Sequence, residues 1–540
     1  MAAAGGAPAS TPAADDGAQP HLPPPPPPLL LPSVPYPQVV LLQTFGWNSH
    51  QKVDGASFWR RLADAAPSIA AATGATHAWL PPPSASVAPE GYLPGQLFDC
   101  NSAYGTAEEL RACCAALRAA GIRPVADVVI NHRCADKQDE RGRWNLYEDT
   151  GADGRPPGSV GAGASADDAQ AAAGSASDGG AGRRGHQRKR IDWGRWAIVG
   201  DDAAFGGRGN ADSGADFDGA PDLDHRNPEL RAALADWLLW LREEFGFEGW
   251  RLDFAKGYAP EYSGEYIART LPLDGGGSRG AGGEGEDARP FCVGELWCDL
   301  AWSRDGEPAG NQDPARQQLC DWVDGVRAGG GDAAAFDFVT KGVLQAALAS
   351  GELWRLKDAR GKPPGMGGWW PRRASLFVES HDTGSSQRHW PCPPRCLQAA
   401  YAYVLTHPGV PCLFSEHVLD ARVHAGPAVP EAEAEALRAA IGALLAARRG
   451  CGVGADSAVE IRAAEQGLYV ADVKGSRATA RVKLGDRMDM GDLLPVEAEG
   501  WRLVVSGQGF AVWAMVEAVE EERGGAEQAA AEGGGKPSAR

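Results

Sequence analysis

Short apolar runs, each closed by polar or turn-forming residues, recur along the chain from Val39 onward. Val39–Phe45, His77–Leu80, Val125–Ile130, Gly249–Phe254, Phe291–Leu296, Phe336–Val339, Ser375–Val378 and Pro411–Phe414 have the length and continuity of strands buried on both faces. Helical spacing fills the intervals. In Ala107–Ala120, Leu110, Cys114 and Leu117 share one face. In Pro228–Phe245, Leu230, Leu234, Trp237, Leu238, Leu241 and Phe245 form a stripe, with Asn227 to cap its start and Gly246 to end it. A further helix is predicted at Ala432–Arg448, and Trp237 and Trp240 read as helix packing. Eight strand–helix alternations require parallel strands, because only parallel neighbours need crossover helices. The pattern therefore predicts an α/β fold, a closed (β/α)8 TIM barrel over residues 37–449. After Arg449 the period drops to two. Ala458–Arg462, Gly467–Val473, Ala480–Leu484, Trp501–Val505 and Gly509–Met515 predict a C-terminal antiparallel β domain over 450–515.

Composition explains what lies outside this pattern. The 71 glycines and 40 prolines concentrate in a Pro/Ala-rich stretch at 1–36 and in insertions at 151–190 and 272–288. These segments, with the acidic 516–540, are expected to be disordered. The first insertion falls in a loop domain at 132–226, protruding after the third strand. Lys and Arg number 52 against 71 Asp and Glu, a formal net charge of −19, which argues against nucleic acid or an anionic membrane as partner. No apolar run reaches the 18 residues of a membrane span. Residues 1–51 hold no Lys or Arg, unlike a signal or transit peptide, and eleven scattered cysteines form no paired CxxC motifs. The expectation is a monomer with reduced thiols, cytoplasmic, with a plastid as the alternative.

In a (β/α)8 barrel, chemistry sits at the C-terminal strand ends. Four of these carry groups that a plain core would exclude: Asn131-His132, Arg251-Leu252-Asp253, Glu295, and Ser380-His381-Asp382. Converging carboxylates suit glycoside hydrolysis, in which one carboxylic acid protonates the leaving oxygen and another carboxylate attacks the anomeric carbon. Arg251, two residues before Asp253, shares its strand face and can keep it ionised. A second acidic group, Asp201, Asp202, Asp212, Asp216, Asp218, Asp222 and Asp224, crowds one loop and reads as a site for a hard cation. The Trp369-Trp370 pair between Gly368 and Pro371 reads as a stacking platform for sugar rings.

The stretches GYLPG, VVINHRCAD, GADFDGAPDLDH, GWRLDFAKGYAP, ELWRLKDARGKPPGMGGWWP and HDTGSSQ resemble the signature regions of α-amylases of the GH13 clan, plant and green-algal type. The resemblance implies retaining endo-hydrolysis of internal α-1,4-glucosidic bonds in starch. Asp253 would be the nucleophile, Glu295 the general acid/base and Asp382 the third carboxylate. His132, Arg251 and His381 would surround the sugar, Tyr92 would stack on it, Lys256 would contact the leaving side, and Trp369 and Trp370 would bind starch at the surface. It implies structural Ca2+, with Asn131, Asp212, Asp222 and the Ala215 and Gly257 carbonyls at one site. A neighbouring site would use Asp202, Asp216, Asp222 and the Phe217 and Ala220 carbonyls, and a third would need Glu148 and Asp192. A related glucanotransferase and a non-catalytic starch-binding homologue are the alternatives. Glu379 and Ser380 depart from the Asp-Asn that usually precedes the last His-Asp, and Leu252 replaces a frequent Phe.

Overall fold

The computed structural model describes residues 38–135, 137–147, 191, 193–202, 204–271, 290–426 and 430–515; the expected tails and both low-complexity insertions lie outside these. Eight parallel strands close a barrel: β1 (Leu41–Gln43), β2 (His77–Leu80), β3 (Arg123–Val128), β4 (Gly249–Leu252), β5 (Cys292–Gly294), β6 (Ala334–Phe336), β7 (Ala374–Phe377) and β8 (Val410–Phe414). Each strand pairs with its chain neighbour, and β8 pairs back onto β1. Every strand residue is buried, which accounts for the unbroken apolar runs.

The crossover helices stop and start where local chemistry dictates. They are α1 (Phe58–Thr73), α2 (Ala107–Ala119), α3 (Pro228–Phe245), α4 (Pro260–Thr270), α5 (Asp313–Ala328), α6 (Phe338–Ser350), α7 (Leu397–Thr406) and α8 (Glu431–Cys451). Thr106 and Glu109 form a reciprocal capping box on α2. Asn227 accepts the Glu229 N–H at the start of α3, and Gly246 ends that helix at φ +78°, a conformation that suits glycine. Trp237 is buried with its indole N–H on the Leu97 carbonyl at 2.7 Å, and Trp240 packs edge-on to Phe245, as helix packing requires. The sixth strand sits earlier than the expected Phe336–Val339. Asp337 accepts the Thr340 N–H, caps α6 and turns Phe338 and Val339 into its first residues.

The C-terminal sheet comprises β9 (Ala458–Glu465), β10 (Leu468–Lys474), β11 (Thr479–Leu484), β12 (Trp501–Gly507) and β13 (Phe510–Met515), in the order β9-β10-β11-β13-β12, all antiparallel. Its core merges with that of the barrel. A buried polar joint crosses between them. The His407 Nδ1 lies 3.0 Å from the Tyr403 carbonyl, which can only accept, so Nδ1 carries the proton and Nε2 accepts from the Tyr469 hydroxyl at 2.8 Å. Burial pushes the His407 pKa down to about 3, which keeps the ring neutral. Tyr469→Phe strands that buried nitrogen. The expected loss is about 1–3 kcal/mol, read as a lower denaturant midpoint with the unfolding slope unchanged.

A second anchor lies beside the barrel mouth. The Arg133 guanidinium stands over the Trp193 ring at 4.4 Å and over the Tyr147 ring at 5.8 Å, and Tyr147 donates its hydroxyl to the Arg133 carbonyl at 3.2 Å. Chain from either side of residues 148–190 is thus pinned to one side chain.

Candidate active site

The register of the barrel places Asp127 of β3 directly beside Arg251 of β4. The Arg251 side chain is 1% exposed and is the hub of the mouth. Its Nη1 reaches Asp127 Oδ1 at 2.8 Å and Asp253 Oδ1 at 2.5 Å, while Nη2 reaches Glu295 Oε1 at 2.9 Å. Its flat face lies over Trp79 at 4.7 Å and Tyr92 at 5.8 Å. Trp79 and Tyr92 both donate to Asp127 Oδ2, at 2.9 and 2.8 Å. Asp253 and Glu295 follow β4 and β5, and their backbones interlock: Asp253 N–H bonds to the Val128 carbonyl and Glu295 N–H to the Leu252 carbonyl.

Three carboxylates thus share one cation, and Asp382 stands near enough to feel its charge. Burial is the largest influence on Asp253 and raises its pKa; the guanidinium opposes this, and Glu295, Asp127 and Asp382 reinforce it. Burial, reinforced by Glu295, pushes Asp382 up to about 8. Burial also disfavours the charge on Arg251, but Asp127, Glu295 and Asp253 more than offset it and hold the guanidinium protonated.

The two histidines stay neutral for a common reason, burial. It takes His132 to about 4 and, with Arg251 nearby, His381 well below its ordinary value. His132 Nε2 bonds to the Tyr92 carbonyl at 2.8 Å, so that nitrogen carries the proton. At His381, the Gln43 amide nitrogen donates to Nδ1 at 2.9 Å; Nε2 therefore carries the hydrogen and faces Asp382 Oδ2 at 3.3 Å. The Tyr92 ring stacks on His381 with centroids 5.0 Å apart, and Trp47 lies nearly parallel to both.

The departures at Glu379 and Ser380 acquire a structural meaning. Glu379 turns away from the mouth, accepting the Cys392 N–H at 2.6 Å and pairing with His417 at 3.1 Å. The Ser380 hydroxyl accepts the Asp382 and Thr383 N–H groups and shapes the turn that presents Asp382. Lys256 is exposed at the mouth, with its ammonium 5.2 Å from the Phe254 ring centre. Trp369 and Trp370 lie apart from the carboxylates, half-buried. Arg316 and Arg360 lie over the first ring, at 4.1 and 5.6 Å, and Arg327 lies 5.7 Å over the second.

Asp127, Trp79, Gln43 and Trp47 belong to the site but carry no end-of-strand signal. Asp127 lies inside β3 between Ala126 and Val128, and Gln43 closes β1 but falls within the longer run Val39–Phe45. The two-residue alternation that puts Asp127 on the barrel-facing side with Val125 and Val129 was the available clue.

The acidic loop docks against the same mouth. Carboxylate oxygens of Asp212, Asp216 and Asp222 come within 4.8 Å of one another. This cluster draws on residues from both of the ligand sets expected from sequence. Asp222 Oδ1 accepts the Asn131 amide at 2.8 Å and Oδ2 the Phe217 N–H at 2.9 Å. Burial, with Asp212 and Asp202 nearby, pushes Asp222 up to about 8. The Asn131 Oδ1 and Asp212 Oδ2 atoms are buried with no hydrogen-bond partner, and these are the oxygens a hard cation would take. A Cβ at Gly257 would stand 1.9 Å from Asn131 Oδ1, so glycine there lets the backbone close on the cluster. The Ala215 N–H bonds to the Lys256 carbonyl, which holds the acidic loop beside Gly257. Phe217 stacks on His132 at 4.0 Å, and Ala220 is buried. Asp202 accepts the Ala204 N–H, and Asp224 is committed to Asn210 and Arg226. Glu148 and Asp192 lie outside the described residues.

Residues 450–514 match a family described as "Alpha-amylase C-terminal beta-sheet domain". The chain is 37% identical over 474 residues to "Probable alpha-amylase 2" of Arabidopsis thaliana, covering 88% of this chain and 93% of that protein. It is 35% identical over 475 residues to "Alpha-amylase 3, chloroplastic" of the same plant, covering 44% of that longer protein. Among solved structures, the acarbose complex of α-amylase from Geobacillus thermoleovorans superposes with a TM-score of 0.55 at 14% identity, over 90% of this chain and 99% of that one, a likeness of fold. A barrel mouth built around Arg251, the matched C-terminal sheet and identity along nearly the whole of a plant relative lead to one assignment: the chain belongs to the α-amylase family of GH13 glycoside hydrolases, plant type.

Proposed function

We propose that the protein is an endo-acting α-amylase that cleaves internal α-1,4-glucosidic bonds of starch with retention. The observation that carries this reading is the single guanidinium bonded to both Asp253 and Glu295. Two carboxyls bridged in this way favour the roughly 5–5.5 Å spacing of retaining enzymes over the ~6.5–9.5 Å that leaves room for water in inverting ones. Glu295 donates its proton to the glycosidic oxygen as the Asp253 carboxylate attacks the anomeric carbon. The bond to the leaving sugar breaks and a glycosyl ester forms on Asp253. Glu295, now a carboxylate, takes a proton from water, which displaces Asp253 and regenerates both groups. Asp382 and the His381 Nε2–H bind sugar hydroxyls, and the Asp382 carboxylate stabilises the positive charge that develops at the anomeric carbon. His132 borders the sugar with its Nε2–H held on the Tyr92 carbonyl, and the Tyr92 ring supplies the stacking face. Lys256 contacts the leaving side, and Trp369 and Trp370 hold a glucan chain at the surface. The test is the anomeric form and length of products from soluble starch. Short α-anomeric oligosaccharides are expected. Longer chains formed alongside shorter ones would make the protein a glucanotransferase, and starch binding without cleavage would make it a binding protein.

We assign the acidic cluster to structural Ca2+. Asn131, Asp212, Asp216 and Asp222 would hold the ion, which supplies charge neutralisation and ties the loop to the strand that carries His132. No step of hydrolysis uses it. Chelation is expected to lower thermal stability. Saturating Ca2+, at 100 times its Kd, should restore about 2.7 kcal/mol. The Asp222→Asn variant should lose that response, and a Ca2+-insensitive melting curve would remove the assignment. No helix among the described residues is long and apolar enough to cross a membrane. We place the protein in the cytoplasm, as a monomer, with a plastid as the alternative that a fluorescent fusion distinguishes.

A further inference from the structure

A cavity of about 700 Å3 lies at the opposite end of the barrel from the carboxylates. Its walls include Val40 and Thr76, which precede β1 and β2, the end of α8 and the β10–β11 turn. The volume falls in the range of ligand pockets, ~300–1,000 Å3. Its charge is unusual for a chain of net charge −19: Arg448, Arg449, Lys474 and Arg477 all line it, against one acid, Asp456. That acid is shared with Arg372, 3.5 Å away. Arg448 is buried, and its guanidinium bonds to three carbonyls, those of Leu405, His407 and Gly409, with no carboxylate among its partners. Arg449, Lys474 and Arg477 are exposed side chains with no ion pair among the described residues. The C-terminal end of α8 offers roughly half a negative charge, far less than four cations. Two planar guanidinium forks, an ammonium and the Ser457 and Ser476 hydroxyls match a tetrahedral oxyanion with several acceptor oxygens.

We propose that this cavity binds a phosphorylated small molecule, with the phosphate between Arg449, Lys474 and Arg477. The remaining volume accepts a body of sugar size, so a sugar phosphate is the ligand class. The site joins the base of the barrel to the C-terminal sheet, so its occupancy stabilises that junction. It contains none of the groups at the carboxylate mouth.

The test is titration calorimetry and thermal unfolding of the full chain with inorganic phosphate and with glucose 6-phosphate, at constant ionic strength set by chloride. One saturable site is expected, with tighter binding of glucose 6-phosphate and a rising midpoint of unfolding. The double variant Lys474→Gln/Arg477→Gln is expected to bind at least about tenfold more weakly, with starch hydrolysis in the absence of phosphate unchanged. No saturable binding to the full chain, or equal binding by the double variant, overturns the proposal. Binding that emerges only when residues 516–540 are removed also overturns it. That result would assign the cavity to the chain's own acidic stretch Glu517–Glu522, which follows β13, where Met515 pairs with Thr479.

Discussion

Asp253→Asn is expected to lower the rate of starch hydrolysis by ~10^4–10^6-fold, the range seen when a catalytic triad loses one member, while the protein stays folded. The amide keeps the size and shape of the carboxyl and still offers an oxygen to Arg251 Nη1, but it is a poor nucleophile and forms no glycosyl ester. The substitution also removes one of four crowded carboxylates, so thermal stability should hold or rise. Starch affinity should persist, since stacking on Tyr92 and the contacts of His132 and His381 remain. Initial rates of reducing-sugar release, with circular dichroism and starch co-sedimentation on the same sample, check all three parts. Wild-type turnover in this variant would remove Asp253 from the nucleophile's role.

The second large effect falls on Arg251. Arg251→Met leaves Asp127, Asp253 and Glu295 without the cation that bonds to all three. Removing one partner of a buried ion network typically destabilises by about 3–5 kcal/mol. The pH dependence has a definite sign. Asp127, Asp253 and Asp382 already have raised pKa values from burial, and loss of the guanidinium raises them further. A carboxyl with a pKa higher in the folded than in the unfolded state binds more protons when folded. Its penalty therefore grows as pH rises from the unfolded value, about 4, toward the folded one. The same slope acts on wild type until its own folded value is passed, about 8 for Asp382, so the variant should run parallel to wild type from about pH 4 to about pH 7 and fall furthest behind at about pH 9. Unfolding midpoints across that range measure it. A difference independent of pH would mean that Arg251 acts through packing on Trp79 and Tyr92 alone.

The barrel was legible in sequence because strands buried on both faces leave continuous apolar runs, and because polar residues at their ends stand out against that background. The sixth strand was misplaced for the same reason: Phe338 and Val339 extend the run, and only the capping of Thr340 by Asp337 separates strand from helix. Asp253, Glu295 and Asp382 could be picked out at strand ends, and Asp127 could not. Its meaning depends on the cross-strand register with Arg251, which no local pattern encodes. Gln43 poses the same difficulty, since its effect on the His381 tautomer spans 338 residues of chain. The acidic loop was legible as a candidate cation site, but which carboxylates converge depends on how the loop docks on Asn131.

The clasp of Arg133 on Tyr147 and Trp193 fixes where the chain leaves and rejoins the barrel mouth. With both flanks held at one point, the closure entropy of any insertion between them rises only logarithmically with its length. Each doubling of its length costs about 0.6 kcal/mol. The clasp thus marks the stretch between Tyr147 and Trp193 as a port where a foreign peptide or a small folded module could be spliced into the enzyme while its catalytic mouth stays in place.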